Sequence, residues 1–282
     1  MKQEVDFVKF NPTENMTVLV KTAHAFEDYG HIASKLMSYD CVHAEQVGFI
    51  KKPGDACADS SLWMAGGEFC GNACMSLAAF IAAERDIVDG RQMVVNVEAS
   101  GTELLVRCQV RREMNRFICR LAMPLPERIE KRKKIEGRPF ACTEIHYAEA
   151  VHLIMEIDEV DTAIRQYAET LALTVGAGYE GKLVGVMIFK PQTGELLPLI
   201  YVPELDSMVW ERGCGSGTAS LGVYLSWKNK GGISALIKQP GGMMNVTCEW
   251  ENGSVTSVDI EGNVEIVAEG KAYIDGALPS LP

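Results

Sequence analysis

The sequence is poor in positive charge: 27 Lys and Arg stand against 38 Asp and Glu, for a formal net charge of −11. That balance excludes a broad phosphate-binding face and so argues against a nucleic-acid partner. The one basic run, Arg128 to Lys134, is broken by Ile129 and Glu130 and follows Pro124 and Pro126, so it reads as a solvated connector. No apolar run approaches the roughly 18 residues of a membrane span. The first ten residues alternate charge and apolarity and lack the apolar core of a secretory signal. Cysteine, by contrast, is plentiful. The nine cysteines are odd in number and follow no signal, which fits free thiols in a reducing cytoplasm better than a disulfide framework.

What is present is a repeated order of elements. Strand-like alternation at Val5–Phe10 and Met16–Lys21 precedes a helical stretch over Glu27–Met37. Strands at Gln46–Ile50 and Ser61–Ala65 lead to an apolar helix over Asn72–Ala83, and three strands follow at Gln92–Glu98, Leu104–Val110 and Arg116–Met123. The second half runs through strands at Cys142–Tyr147 and Val151–Ile157, a helix over Val160–Leu171, and strands at Val184–Phe189 and Leu197–Val202. It closes with an apolar helix over Ser216–Trp227 and strands at Ile233–Lys238, Met244–Trp250 and Ser254–Ile260. The order predicts a duplicated α/β (α+β) architecture joined near Pro124–Gly137. Both apolar helices are hydrophobic nearly all round, as helices wrapped by sheet would be.

Each of these helices starts directly after a Cys-Gly pair, Cys70-Gly71 and Cys214-Gly215. The first N–H groups of a helix have no intrahelical partner and carry partial positive charge. A thiol there is expected to have its pKa lowered, and a carboxylate is favoured by the same donors. Small residues (Gly71, Asn72, Ala73; Gly215, Ser216, Gly217) allow close backbone approach. Two such sites supply what a two-base racemase needs: one thiolate removes an α-proton, the opposite thiol returns one, and the N–H groups stabilise the carbanion-like transition state. No signature of pyridoxal phosphate is present. Cys74 forms C-x-x-x-C with Cys70 but lacks a second pair or His-rich segment for a metal, and reads as core. Cys41, Cys57, Cys108, Cys119, Cys142 and Cys248 lack a helix-start setting.

The motifs Glu68-Phe69-Cys70-Gly71-Asn72 and Glu211-Arg212-Gly213-Cys214-Gly215-Ser216-Gly217-Thr218 resemble the paired active-site motifs of diaminopimelate epimerases. The resemblance runs from Phe7-Val8-Lys9-Phe10 through Asn15 and Gln46 to Gly270-Lys271-Ala272. It implies the diaminopimelate epimerase-like fold: two similar domains, each a curled mixed sheet around a central helix, with the site between them. The expected domains are 1–124, with a tail 263–282 returning to it, and 125–262. A homodimer is implied by the resemblance alone.

The chain departs from those epimerases where they hold the substrate's distal head. Met64-Ala65-Gly66-Gly67, Glu149-Ala150-Val151-His152 and Val186-Met187-Ile188 stand where polar, largely asparagine-bearing segments are expected. Unpaired substrate charges there would cost several kcal/mol to bury. The chain is more similar to the histidine racemases of the same superfamily, which serve metallophore biosynthesis. The similarity rests on Asn11-Pro12, Asn15-Met16-Thr17, Glu45-Gln46-Val47-Gly48-Phe49-Ile50, Cys214 to Ser220 and Gln239-Pro240-Gly241-Gly242.

The resemblance makes Cys70 and Cys214 the catalytic pair, without metal or cofactor, acting on a small amino-acid substrate. Glu45 could accept a hydrogen bond from a substrate imidazole, or be an ordinary acid beside a strand. Asn15 and Gln46 could orient the amine or the ring, or simply close a turn. Gly71, Asn72, Gly215, Ser216 and Thr218 would line the carboxylate site. Glu211 and Arg212 complete the expected site. Arg212 departs from the histidine racemases, and could pair with Glu211 or Glu45 or favour a different side chain. His152 reads as packing or hydrogen bonding within its strand. Three readings remain open: a histidine racemase, a diaminopimelate epimerase or racemase of another amino acid, and a non-catalytic thiol protein that binds metal or senses oxidation.

Overall fold

The computed structural model describes residues 2–132 and 141–275. The chain divides into two compact units, Met1–Cys119 with Val264–Pro282, and Arg120–Asn263. Unit 1 contains β1 (Lys2–Pro12), β2 (Thr17–Val20), α1 (Tyr29–Met37), β3 (Gln46–Lys51), β4 (Ser60–Met64), α2 (Gly71–Glu84), β5 (Gln92–Ala99) and β6 (Val106–Glu113). It also holds the start of β7 (Arg116–Ala122). Its strands pair in sequence order from β1 to β7. The pairs β2–β3 and β4–β5 are parallel. Each is joined by one helix, so α1 and α2 are the crossovers that parallel pairing requires.

Unit 2 contains β8 (Arg128–Arg132), β9 (Cys142–His146), β10 (Ala150–Glu156), α3 (Thr162–Gly176), β11 (Leu183–Lys190), β12 (Glu195–Val202) and β13 (Ser207–Trp210). Then come α4 (Gly215–Asn229), β14 (Ile233–Gln239), β15 (Gly242–Glu251) and β16 (Ser254–Asp275), of which the part from Val264 belongs to unit 1. Here too the parallel pairs, β10–β11 and β12–β14, are bridged by single helices, α3 and α4. The strand and helix order of unit 1 therefore recurs from β9 onward, with β13 inserted before α4.

The central helices are apolar because strands surround them. Helix α2 touches β1 to β6, and α4 touches β9 to β12, β14 and β15. Ala73, Cys74, Met75, Leu77, Ala78, Ala79 and Ala82 of α2 are fully buried. Polar residues among them bond locally: the Ser76 hydroxyl donates to Asn72 O at 2.8 Å, and that of Ser226 to Gly231 O at 2.7 Å. The outer helices bury one face only. Tyr29, Ile32 and Leu36 of α1 pack on β3, with the Tyr29 ring stacked on Phe49 at 3.7 Å. Helix α3 starts at Asp161, whose carboxylate accepts from Ile164 N at 2.8 Å.

Two expectations are corrected and one strand is added. Arg128–Arg132 is not a connector but strand β8, paired antiparallel with β9; Lys133 and Lys134 lie outside the described residues. The tetrapeptide β13 pairs with β12 and was too short to show alternation. The last strand does not end at Ile260. Residues 254–261 pair with β15, and residues 264–275 pair with β1. Of the expected tail 263–282, the part beyond 275 lies outside the described residues.

Candidate active site

Cys70 and Cys214 occupy the N-cap positions of α2 and α4. Both are extended, with φ/ψ of −129°/108° and −117°/113°. In both, the cysteine carbonyl accepts the first helical bond, from Cys74 N and Thr218 N, each at 3.0 Å. Helix α2 follows β4, the first strand of its parallel pair, whereas α4 follows β13, which runs back antiparallel along β12. Cys70 is half-buried and Cys214 is buried.

The surroundings of Cys214 are defined closely. Its Sγ accepts from Gly217 N at 3.2 Å and lies 3.5 Å from Ser216 Oγ. The Glu211 carboxylate receives a hydrogen bond from the thiol. Burial, and then the Glu211 charge, push the Cys214 thiol well above its ordinary pKa, and the Ser216 and Gly217 donors do not reverse this. The expectation that a helix start lowers this thiol's pKa is therefore corrected, because desolvation in a buried site opposes the charged form more strongly than the donors at the helix start favour it. At neutral pH Cys214 is held as a thiol beside a carboxylate.

The first N–H groups of α4 are also divided. Gly217 N serves Sγ, and Thr218 N and Oγ1 both serve Cys214 O, the latter at 2.6 Å. Thr218, expected to line a carboxylate site, has its donors committed to the cysteine. The N–H groups of Gly215 and Ser216 have no acceptor among the described residues and are the ones a carboxylate could take. Glu211 is buried and Arg212 exposed.

In unit 1, Asn15 is fully buried in the turn after β1 and donates from Nδ2 to Glu45 Oε2 at 3.3 Å. Thr13 and Glu14, both with positive φ (54° and 59°), turn the chain so that Asn15 faces inward. The N–H groups of Glu45 and Gln46 both bond Met16 O, at 2.7 and 3.2 Å. Asn15, Glu45 and Gln46 thus form one polar group at the start of β3. Gly71 and buried Asn72 are the first residues of α2.

Sequence reasoning missed the residues that hold each cysteine loop in place. In unit 1 they directly follow β5. Ser100 Oγ accepts from Met64 N at 3.0 Å and donates to Glu68 O at 2.7 Å. Gly101 has φ +73°, and a Cβ there would lie 2.2 Å from Phe69 N. In unit 2 they lie at the end of β14. Gln239 Oε1 accepts from Cys214 N at 2.7 Å, and Gly241 N donates to Arg212 O at 2.7 Å. The signals were a polar, glycine-containing break after the same strand of each half and, for Gln239 and Gly241, a place in the resemblance to which no role was attached.

His152 lies in the strand-borne environment expected of it. It is buried, and its Nδ1 is 2.6 Å from Ser220 Oγ, which also bonds Tyr147 OH at 2.7 Å. Burial lowers the His152 pKa to about 4. Elsewhere in unit 2, Glu130, Glu144 and His146 have possible ligand atoms within 4.8 Å of one another. Arg128 already lies 2.9 Å from Glu130 and 3.2 Å from His146 Nδ1, so this group is a charged network closed by an arginine.

This fold is shared with racemases and epimerases. A hydroxyproline epimerase from Agrobacterium vitis superposes with a TM-score of 0.70 at 10% identity, covering 98% of this chain and 94% of that one. A probable proline racemase from Agrobacterium radiobacter gives 0.67 at 11% identity, over 94% and 92%. These likenesses define the class by fold, that of the racemases and epimerases. Within it the chain belongs to the family described as histidine racemase CntK N-terminal domain, which matches residues 4–273. A histidine racemase of Staphylococcus aureus is 36% identical over 97% of this chain and 99% of its own length. One from Fusobacterium nucleatum is 32% identical over 96% and 97%. Among the described residues no helix is long and apolar enough to cross a membrane.

Proposed function

We propose that the protein interconverts L- and D-histidine by proton transfer at the α-carbon between Cys70 and Cys214, on opposite faces of the substrate. The observation that carries this reading is the repetition of one cysteine, in one backbone conformation, at the start of the central helix of each unit. One sulfur takes the α-proton as thiolate while the other, as thiol, gives its proton to the opposite face. The buried Cys214 thiol suits the donor role at neutral pH, and Glu211 is the base that would receive its proton when the direction reverses. The N–H groups of Gly215 and Ser216, with those of Gly71 and Asn72, would bind the substrate carboxylate and stabilise the charge that develops there.

Glu45, held by Asn15, is the acceptor for a substrate imidazole N–H. Gln46 would orient the amine, and exposed Arg212 would border the site. The family's name and the apolar Met64 and Val186–Ile188 segments both favour a ring over a second zwitterionic head.

The test is proton NMR in D2O with L-histidine and diaminopimelate, followed by chiral analysis. Loss of the histidine α-proton with formation of D-histidine is expected. Exchange on diaminopimelate alone would move the substrate and keep the chemistry. No exchange on either would exclude both substrates and leave a racemase of another amino acid or the non-catalytic thiol protein. Cys70→Ala and Cys214→Ala should each abolish conversion while leaving circular dichroism unchanged; full activity in either variant would exclude the two-thiol mechanism.

A further inference from the structure

Gln239 ends β14, 25 residues beyond Cys214 in the chain, and is 2% exposed. A primary amide buried this deeply needs partners for both its ends, and both ends are used on the cysteine. Oε1 accepts from Cys214 N at 2.7 Å, and Nε2 donates to Thr218 Oγ1 at 2.8 Å. The Thr218 hydroxyl in turn donates to Cys214 O at 2.6 Å. Three directed bonds therefore close a ring that begins at the N–H of Cys214 and ends at its carbonyl.

The polarity of every member of the ring is fixed. A backbone N–H can only donate, so the amide oxygen must face it. The amide nitrogen must then face Thr218, whose own proton is left for the carbonyl. The ring touches no atom of the sulfur. It fixes the two peptide groups that flank the Cys214 Cα, and so the direction of the Cα–Cβ bond. The Sγ position is then set by Gly217 N at 3.2 Å. Gly241, two residues past Gln239, holds the same loop through Arg212 O at 2.7 Å.

We propose that Gln239 is a positioning residue for Cys214: it acts through the backbone of the cysteine and aims its sulfur, without contacting substrate. The proposal rests on the racemase reading for its catalytic consequence, and on geometry alone for its effect on the thiol. A shift of about 1 Å at a reacting atom is enough to cost on the order of 100-fold in rate.

Two variants separate positioning from mere support of the fold. Gln239→Met removes both bonds. Gln239→Glu reproduces both while its carboxyl is protonated. Once ionised, it keeps the bond from Cys214 N, loses the one to Thr218, and sets a negative charge beside the cysteine loop. The other charged or titratable groups of that loop, Glu211, Arg212 and Cys214, are common to wild type and variants.

The experiment measures kcat and KM for histidine across pH. In parallel, the rate of iodoacetamide labelling at Cys214 is followed by peptide mass spectrometry, with Cys70 labelling as the internal reference. For Gln239→Met, kcat should fall about 10- to 100-fold at every pH with KM changed by less than about threefold. The Cys214 labelling rate should change while that of Cys70 does not. For Gln239→Glu, kcat relative to wild type should decline as pH rises, with Cys214 labelling slowed in parallel. Wild-type kcat and labelling in Gln239→Met would overturn the proposal. So would a pH-independent loss in Gln239→Glu that merely tracks the fraction of folded protein. If the wild type does not racemise histidine, the labelling rates still decide the role of Gln239. If Gln239→Met does not fold, the pH dependence of Gln239→Glu decides it.

Discussion

The thiol of Cys214 donates its hydrogen bond to the carboxylate of Glu211. A buried thiol beside a carboxylate is held protonated, first by loss of water and then by the neighbouring charge. Glu211→Gln removes the second cause and keeps a hydrogen-bond acceptor. Its Cys214 should therefore ionise at lower pH than in wild type, and iodoacetamide labelling of that peptide should rise at correspondingly lower pH. An unmoved labelling profile would mean that burial alone sets this thiol.

Two glycines that press on the cysteine loops should fail in different ways. Gly101 has φ +73°, and its Cβ would meet backbone atoms of Glu68 and Phe69, which cannot swing aside. Gly101→Ala should lose at least about 1–2 kcal/mol of stability from the left-handed conformation alone, seen as a lowered denaturation midpoint. At Gly217, a Cβ would meet Met187 Sδ at 2.7 Å and Cys214 Sγ at 3.1 Å. The methionine can move and the cysteine is the group displaced. Gly217→Ala should stay folded but lose about 10-fold or more in kcat. Wild-type kcat would show that Sγ tolerates the methyl.

Buried His152 gives the fold an acid limit. Its folded pKa of about 4 lies below the unfolded value of 6.5. The unfolded chain takes up this proton first as pH falls, so the stabilisation is complete above about 6.5 and is lost as pH falls through about 4. The difference corresponds to roughly 3 kcal/mol. Urea unfolding at pH 7.5 and pH 4.5 should show a smaller pH dependence in His152→Gln than in wild type. Equal dependence would assign the acid limit to carboxylates.

Local pattern made much of this molecule readable. The all-round apolarity of Ala73–Ala83 and Ala219–Leu225 follows from sheet on every side, and the Cys-Gly pairs mark where each helix begins. The charged run Arg128-Ile129-Glu130-Lys131-Arg132 was opaque as a strand because an exposed edge strand carries charge on both faces. The last strand was expected to stop at Ile260, although β16 continues through Gly262 and Asn263 to Asp275. The contacts of Ser100 and Gln239 were not legible at all. Ser100 bonds Met64 and Glu68, 36 and 32 residues away, and Gln239 bonds Cys214, 25 away. No periodicity records such pairings. The raised pKa of Cys214 was missed for a related reason: the helix start is visible in the sequence, while the exclusion of water is a property of the folded surroundings.

The long strand β16 sets the order in which the protein can be completed. The stretch Arg120–Asn263 is continuous in the chain, whereas Met1–Cys119 needs residues 264–275 to pair with β1. Ala272 and Ile274 belong to the same core as Val5, Phe7 and Ile32. On the ribosome, then, the later-made unit has all its residues before the earlier one does. Strand β1 waits until residues 264–275 have been made, and until then one of its edges is open to chaperones or to neighbouring nascent chains.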